Sequence, residues 1–440
     1  MGLHNTPRSN RLHIGIFGRR NAGKSSLINA LTGQNLAIVS DTPGTTADPV
    51  YKSMELHPIG PVVFIDTAGY DDEGALGELR AAKTASITDR VDVAILVLDG
   101  TAIPGADDHA WLTRLEAAGI PVIAVRNKMD AAGAADAVGA ADVADAMGAA
   151  VASASDDHPG GEAFASAIRV SAKTGEGIET LRAAIVDAVP EDYWEEDLLG
   201  DLAAEGDLVF LVMPQDIQAP KGRLILPQVQ TLRALLDRKC QVMSTTADGL
   251  SQALRALNRA PDLIITDSQC FDLVYKQKPE SSTLTSFSIL MAAAKGDINV
   301  FAQGASAIDD ALTATGPVEI ASVGGTGSAD SAAGQHPFRV LIAEACTHVP
   351  QNEDIGTVKI PRLLHKTFGD RVVITNVRGN DFPDVEGLKQ YDLIIHCGAC
   401  MFNRRHVLSR IAAAREVGVP ITNYGIFLAK MAGILDKVSM

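Results

Sequence analysis

Three of the chain's five cysteines fall where a metal centre could form. Cys346 opens "CTH" directly after the apolar run "FRVLIAEA", and Cys397 and Cys400 make the C-x-x-C of "HCGAC" directly after "YDLII". Both runs read as buried strands of a parallel sheet, and such sheets place ligands beyond the carboxyl ends of their strands. If the two strands are neighbours, three thiolates converge. Three soft ligands suit zinc or an iron–sulfur cluster. Zinc wants a fourth protein ligand, and His348 or His396 could supply one. A cluster held by three cysteines keeps one iron available for a histidine, a carboxylate or an external ligand. Cys240 and Cys270, beside helix–strand borders, read as small core hydrophobes.

A second constellation lies near the other end. "GRRNAGKS", residues 18–25, follows an apolar strand and opens a helix, the context in which G-x-x-x-x-G-K-[ST] cradles phosphate. Gly18 and Gly23 let the backbone curl so that the amides of Asn21, Ala22, Gly23, Lys24, Ser25 and Ser26 can meet phosphate oxygens. Lys24 adds a point charge to the β and γ phosphates, and the Ser25 hydroxyl suits Mg²⁺. In "DTAG" (66–69), Asp66 can hold the Mg²⁺ shell and the Gly69 amide can meet the γ-phosphate. A threonine from "DTPGTTADP" (41–49) completes the Mg²⁺ site; Thr45 and Thr46 both qualify, and Thr46 is the choice here. Lys24, Thr46, Asp66 and Gly69 are thus the set that would act on the γ-phosphate. "NKMD" (127–130) selects the base: Asp130 can accept hydrogen bonds from N1–H and the exocyclic amine of guanine, donors that adenine lacks. Asn127 and Lys128, with "SAK" (Ser171, Ala172, Lys173), complete the pocket. The expected substrate is GTP.

Stepping along the chain, "LHIGIFG" (12–18), "VVFIDTAG" (62–69), "DVAILVLDG" (92–100) and "PVIAVRNKMD" (121–130) alternate with helical patterns. That alternation predicts an α/β fold with a parallel sheet covered on both faces. The Ala/Asp/Gly-rich stretch 131–161 carries no chemistry. An acidic stretch, 189–206, reads as a linker between a domain over 1–188 and two smaller α/β domains, 207–270 and 271–440. The three-domain division follows from length as well, since 440 residues exceed one ordinary core.

The four ordered motifs resemble the translation-factor-like GTPases, and "DTPGTTADP" with the Asn of "RRNAGKS" resembles the Era and TrmE branch. That resemblance implies a potassium ion bound with the help of Asn21, its charge replacing an arginine finger. Tyr70 follows "DTAG" where Ras-type enzymes carry a water-positioning Gln, so slow hydrolysis is expected unless a cation or partner assists.

C-x-H, then H-C-x-x-C, behind such a domain is similar to one family closely: the GTPases that mature [FeFe]-hydrogenase, HydF. "DIQAPKGRLILPQVQTLRALLD" (216–237) is similar to that family's dimerisation domain. The resemblance spans essentially the whole chain. It implies a homodimeric scaffold whose Cys346, Cys397 and Cys400 bind a [4Fe–4S] cluster, with His348 or His396 as possible further ligands. As cargo it implies a di-iron subcluster precursor, built with two radical-SAM maturases and delivered to apo [FeFe]-hydrogenase. Read from their position beside the C-x-x-C, Arg404 and Arg405 either steady an anionic cluster or are surface charge.

Two other readings compete. One is an RNA- or ribosome-associated GTPase of the Era/TrmE type with a zinc-binding C-terminal module; the other is a metal-delivery scaffold unrelated to hydrogenase. The first needs a basic surface. A formal net charge of −16, without a dense Lys/Arg run, opposes it and makes nucleic acid an unfavoured partner. No apolar run is long enough to span a bilayer, so no membrane partner is expected. "MGLHNTPRSN" lacks the apolar core of a secretory signal, so a cytoplasmic location is expected. In that reducing setting clustered cysteines signal metal before disulfide.

Overall fold

The run Leu12–Gly18 (β1) is buried along its whole length, as a strand covered on both faces must be. The computed structural model describes residues 10–33, 50–69, 87–131, 161–194, 197–214, 224–315, 337–345, 354–379 and 381–440. They form two compact units, residues 1–195 and 196–440.

In the first unit the sheet runs β2–β3–β1–β4–β5–β6. Its other strands are β2 (Val50–Leu56), β3 (Gly60–Asp66), β4 (Val93–Asp99), β5 (Val122–Asn127) and β6 (Ile168–Arg169). Helices α1 (Lys24–Thr32), α2 (Ala106–Ala117) and α3 (Ile178–Asp187) cover it. Leu27, Leu31, Leu181 and Ile185 of α1 and α3 pack on Ile14 and Val62. Trp111, Leu112 and Leu115 of α2 pack on the opposite face with Phe17 and Leu96. The parallel pairing matches expectation except at β2, which runs antiparallel to β3 with Lys52 opposite Phe64 and Val50 opposite Asp66. The sequence reading has no strand there, because "VYKSMEL" is an edge strand whose polar residues interrupt the apolar run.

The second unit holds two four-stranded parallel sheets. One runs β10–β9–β7–β8, built from β7 (Leu208–Val212), β8 (Gln241–Thr245), β9 (Leu263–Thr266) and β10 (Thr283–Ser286). The other runs β12–β11–β13–β14, built from β11 (Phe338–Glu344), β12 (Val372–Arg378), β13 (Leu393–His396) and β14 (Ile421–Asn423). Helices α4 (Leu226–Asp237), α5 (Phe287–Lys295), α6 (Arg404–Glu416) and α7 (Tyr424–Met431) pack about them. A single hydrophobic core runs from Phe210, Ile264 and Leu284 through Ile342 and Ile395 to Phe427. The two small domains expected from sequence are therefore packed as one body.

Two expected borders shift. The stretch 189–206 is not all linker: Leu199 and Ala203 are buried with β7, since apolar residues amid the acidic ones find the sheet. The border at 270/271 falls inside a sheet, because β10 pairs with β9 in parallel. Both sheets share the strand order second–first–third–fourth. In such sheets the chain leaves the first and third strands toward opposite faces, which opens a crevice at their carboxyl ends. For the last sheet that crevice lies between β11 and β13. Among the described residues no helix is long and apolar enough to cross a membrane.

Candidate functional site

The loop between β1 and α1 is held by its own lysine. The Lys24 amine donates to the carbonyls of Gly18 and Arg19, each at 2.8 Å, and the Ala22 amide donates to Arg19 O at 3.3 Å. Asn21 adopts a left-handed φ of 61° at the exposed tip. Gly23 is required by packing: a Cβ there would stand 2.2 Å from Asn127 Nδ2. Gly69 is similarly pressed on the loop, with Arg20 N 2.7 Å from where a Cβ would lie.

Asp66, at the end of β3, accepts from Ser25 Oγ at 2.6 Å through Oδ2. Its Oδ1 is buried without a hydrogen-bond partner. Burial raises the carboxyl pKa, while the Ser25 hydroxyl and the charges of Lys24 and Lys52 lower it. An orphaned carboxylate oxygen beside a P-loop serine is the donor set that Mg²⁺ takes.

The base pocket is assembled from three strand ends. Asn127, at the end of β5, donates to Ala22 O at 3.1 Å and accepts from Ala172 N at 3.0 Å, so it ties the phosphate loop to the 171–173 turn. Ser171 Oγ donates to Asp130 Oδ1 at 2.7 Å, and Lys173 lies 3.8 Å from Oδ2. Lys128, at φ 63°, pairs with Asp99 at 2.7 Å. These contacts hold Asp130 as an oriented acceptor. Lys52 escaped the sequence reading along with its strand. Its amine is buried without a hydrogen-bond partner on the α1 face, where burial lowers its pKa and the charge of Asp66 opposes that.

At the other site, β11 pairs with β13 in parallel, Ala343 opposite His396, so the two cysteine-bearing loops start side by side. Cys346 and His348 lie outside the described residues, as do Thr45, Thr46 and Tyr70. Ala345, next to Cys346 in the chain, is described, and its amide donates to Cys397 Sγ at 3.0 Å. The Ala399 amide donates to the same sulfur at 3.4 Å. Burial pushes the Cys397 thiol up to about 11, opposed by these two amides, while the neighbouring Cys400 adds to the rise. The two N–H groups favour the thiolate, while burial outweighs them. Among the described residues no group of three His, Cys, Asp or Glu side chains is arranged to hold a metal ion.

His396 is corrected as a ligand. Its Nδ1–H donates to Cys397 O at 2.8 Å and its Nε2 lone pair accepts from Arg410 Nη1 at 2.9 Å, so neither ring nitrogen is free for iron. Burial and the Arg410 charge lower its pKa to about 3, which fixes a neutral ring that donates from Nδ1 and accepts at Nε2. Arg410 is itself buried, bonded to Gly379 O and lying over the rings of Phe382 and Phe402 at 4.6 and 4.7 Å. Arg404 and Arg405 open α6 beside the loop. Sequence reasoning singled out those two and missed Arg410, although the i, i+3/i+4 spacing of α6 gave the signal that its inner face is buried.

Phosphate loop, magnesium carboxylate and guanine pocket on a six-stranded α/β sheet define a P-loop GTPase domain, followed by a further α/β unit. The family model described as a 50S ribosome-binding GTPase matches residues 13–128. The hydrogen maturase F dimerization domain matches residues 198–296, and the hydrogen maturase F tetramerization domain matches 333–439. Together these three matches are those of the hydrogen maturase F family. The tRNA modification GTPase MnmE of Burkholderia cenocepacia (strain HI2424) is 36% identical over 176 residues, 40% of this chain and 34% of that protein. The MnmE of Nitrosomonas eutropha is 33% identical over 199 residues, 44% of this chain and 38% of that protein. The chain thus spans little more than a third of these relatives. Among solved structures, a variant of Era from Aquifex aeolicus with bound GDP and aluminium fluoride aligns at a TM-score of 0.33 and 18% identity, over 56% of this chain and 98% of that one. A probable GTP-binding protein EngB aligns at 0.30 and 26%, over 40% and 98%.

Proposed function

We propose that this protein is a GTP-hydrolysing scaffold that holds a [4Fe–4S] cluster through Cys346, Cys397 and Cys400 and carries a di-iron subcluster precursor to apo [FeFe]-hydrogenase. The observation that carries this reading is the sulfur of Cys397. It accepts amides from its own loop and from Ala345, the residue preceding Cys346, at the switch point of a doubly wound sheet. The cluster supplies iron with a coordination position that protein ligands leave exchangeable. The chain's own residues do the rest: Ala345 and Ala399 stabilise the Cys397 thiolate, and His396 braces the loop from behind.

In the GTPase domain, Lys24 and the loop amides hold the phosphates. Ser25, Asp66 and Thr46 hold Mg²⁺, and Asn21 helps bind potassium. Asp130 recognises guanine. The dimerization and tetramerization matches support an oligomer of this chain, and two radical-SAM maturases are its further partners. The proposed division places nucleotide chemistry in 1–188 and the cluster on the last sheet, with the dimerisation domain, matched over 198–296, between them in sequence. The RNA-linked reading draws only on the GTPase region, where the MnmE relatives align.

Anaerobic reconstitution with iron and sulfide, followed by electron paramagnetic resonance, tests the cluster. A cubane signal lost in Cys346→Ser and Cys397→Ser is expected; stoichiometric zinc with no iron uptake would overturn it. Co-expression with the maturases and apo-hydrogenase tests delivery, and hydrogen evolution in the absence of this chain would count against it.

A further inference from the structure

The loop that carries Cys397 and Cys400 is held by hydrogen bonds. The Ala399 amide of this loop and the Ala345 amide from the loop after β11 both donate to Cys397 Sγ, the Phe402 amide donates to Ala399 O at 3.0 Å, and three carbonyls of the loop accept from side chains. Cys397 O accepts from His396 Nδ1 and, at 3.3 Å, from Asn423 Nδ2. Phe402 O accepts from the Lys295 amine at 2.7 Å, and Ala399 O accepts from the same amine at 3.4 Å.

Lys295 is 3% exposed and stands at the end of α5, more than a hundred residues before the loop it touches. Ser288 and Met291 precede it at i, i+3 and i+7 spacing, which puts all three on one helix face. Gly398 packs over Ser288 and Met291, and Ser288 Oγ donates to Asn423 Oδ1 at 2.9 Å. One face of α5 therefore lines the loop from Gly398 to Phe402. Ala399 is held at a φ of 50°, a left-handed conformation that a residue with a Cβ avoids and keeps only where its surroundings enforce it. A lysine buried to this depth needs polar partners, and two carbonyls of one short loop are among those of Lys295.

We propose that Lys295 is the positioning residue of the C-x-x-C loop: its amine holds the carbonyls of Ala399 and Phe402, so that the turn from Cys397 to Phe402 keeps the shape in which the Ala399 amide meets Cys397. The use of that arrangement, thiolate ligands for a cluster, rests on the function proposed above; the arrangement itself does not.

The test compares the full-length chain with Lys295→Met and Lys295→Arg in two assays. In the metal-free protein, alkylation of the Cys397–Cys400 peptide by iodoacetamide is followed by mass spectrometry. Loss of both anchoring bonds is expected to speed labelling about 10-fold or more in Lys295→Met. After anaerobic addition of ferrous iron and sulfide, the affinity for iron is expected to fall about 10- to 100-fold in the same variant, as for other losses behind a metal ligand. Lys295→Arg keeps donors for both carbonyls and is expected to stay near the native values in both assays, with GTP turnover unchanged throughout. Native labelling and native iron affinity in Lys295→Met would overturn the proposal. So would an arginine variant as impaired as the methionine one, since the effect would then be one of packing. If Lys295→Met does not fold, hydrogen exchange of 398–402 in the native chain decides: protected amides support the proposal, and exchange at unfolded-chain rates ends it. A native chain that binds no iron would sink the cluster reading, while the labelling contrast would still judge Lys295.

Discussion

The phosphate loop and the C-x-x-C loop solve the same electrostatic problem with parts drawn from different distances. Each follows a parallel strand, and each contains a residue with a Cβ at left-handed φ, Asn21 at 61° and Ala399 at 50°. In each, a buried lysine takes the carbonyls: Lys24 those of Gly18 and Arg19, Lys295 those of Ala399 and Phe402. The difference is where the lysine comes from. Lys24 sits within the motif, so the loop is self-contained and can be read as a word. Lys295 comes from the neighbouring sheet's helix, so the cysteine loop depends on how two sheets pack into one body. A self-contained loop can travel between proteins as a unit; the C-x-x-C loop is tied to the rest of its own unit.

That contrast can be broken in several places. Cys397→Ser should abolish the cluster signal in electron paramagnetic resonance and leave GTP turnover intact; loss of both would mean that the two loops share one structural support. Lys24→Ala should do the reverse, lowering kcat for GTP by about 10²- to 10³-fold while iron uptake persists, as phosphate release and iron content would show. Asp130→Asn should cut the preference for GTP over XTP by at least about 10²-fold, since an amide faces one of guanine's donors with a donor of its own; competition binding with both nucleotides would measure it.

Acid should act on one loop more than the other. The His396 pKa stands at about 3 in the fold against an ordinary 6.5, so the unfolded chain takes up a proton that the folded one refuses. Its contribution to stability is complete above about pH 6.5 and is lost as the pH falls toward 3. Melting curves across that window should show the slope, and His396→Gln should flatten it. The smallest effect is expected at Ala399: glycine there should relieve the left-handed strain and raise stability by about 1 kcal/mol in denaturant titrations. A loss of stability instead would show that the Cβ of Ala399 packs to more advantage than its φ costs.

Much of the nucleotide site was legible because its residues meet through local motifs at strand ends. Gly18 to Ser26 span the turn from the end of β1 into α1, and Asp66, Asn127 and Ser171 stand at or just beyond strand ends, where hydrogen bonds tie them to that turn and to Asp130. Lys52 was not legible, since an edge strand with alternating polar residues gives no clear period. The cysteine site was legible as a triplet of residue types and as a guess that two strands are neighbours, which the pairing of β11 with β13 now supplies. His396 was misjudged because spacing shows proximity to cysteine but not what the ring nitrogens meet. The expected border at 270/271 missed because β10 and its neighbours carry their pairing partners far away in the chain.

By itself, then, the order of residues determined the chemistry available: a triphosphate cradle with a guanine acceptor, and thiols at ligand spacing after apolar strands. These depend on contacts within a few residues and on strand ends, which backbone geometry fixes locally. Only the tertiary structure decided that two small sheets share a core, that His396 faces Arg410 rather than a metal, and that Lys295 reaches the cysteine loop. Those are long-range choices, set by which buried surfaces fit together, and no spacing in the chain encodes them directly.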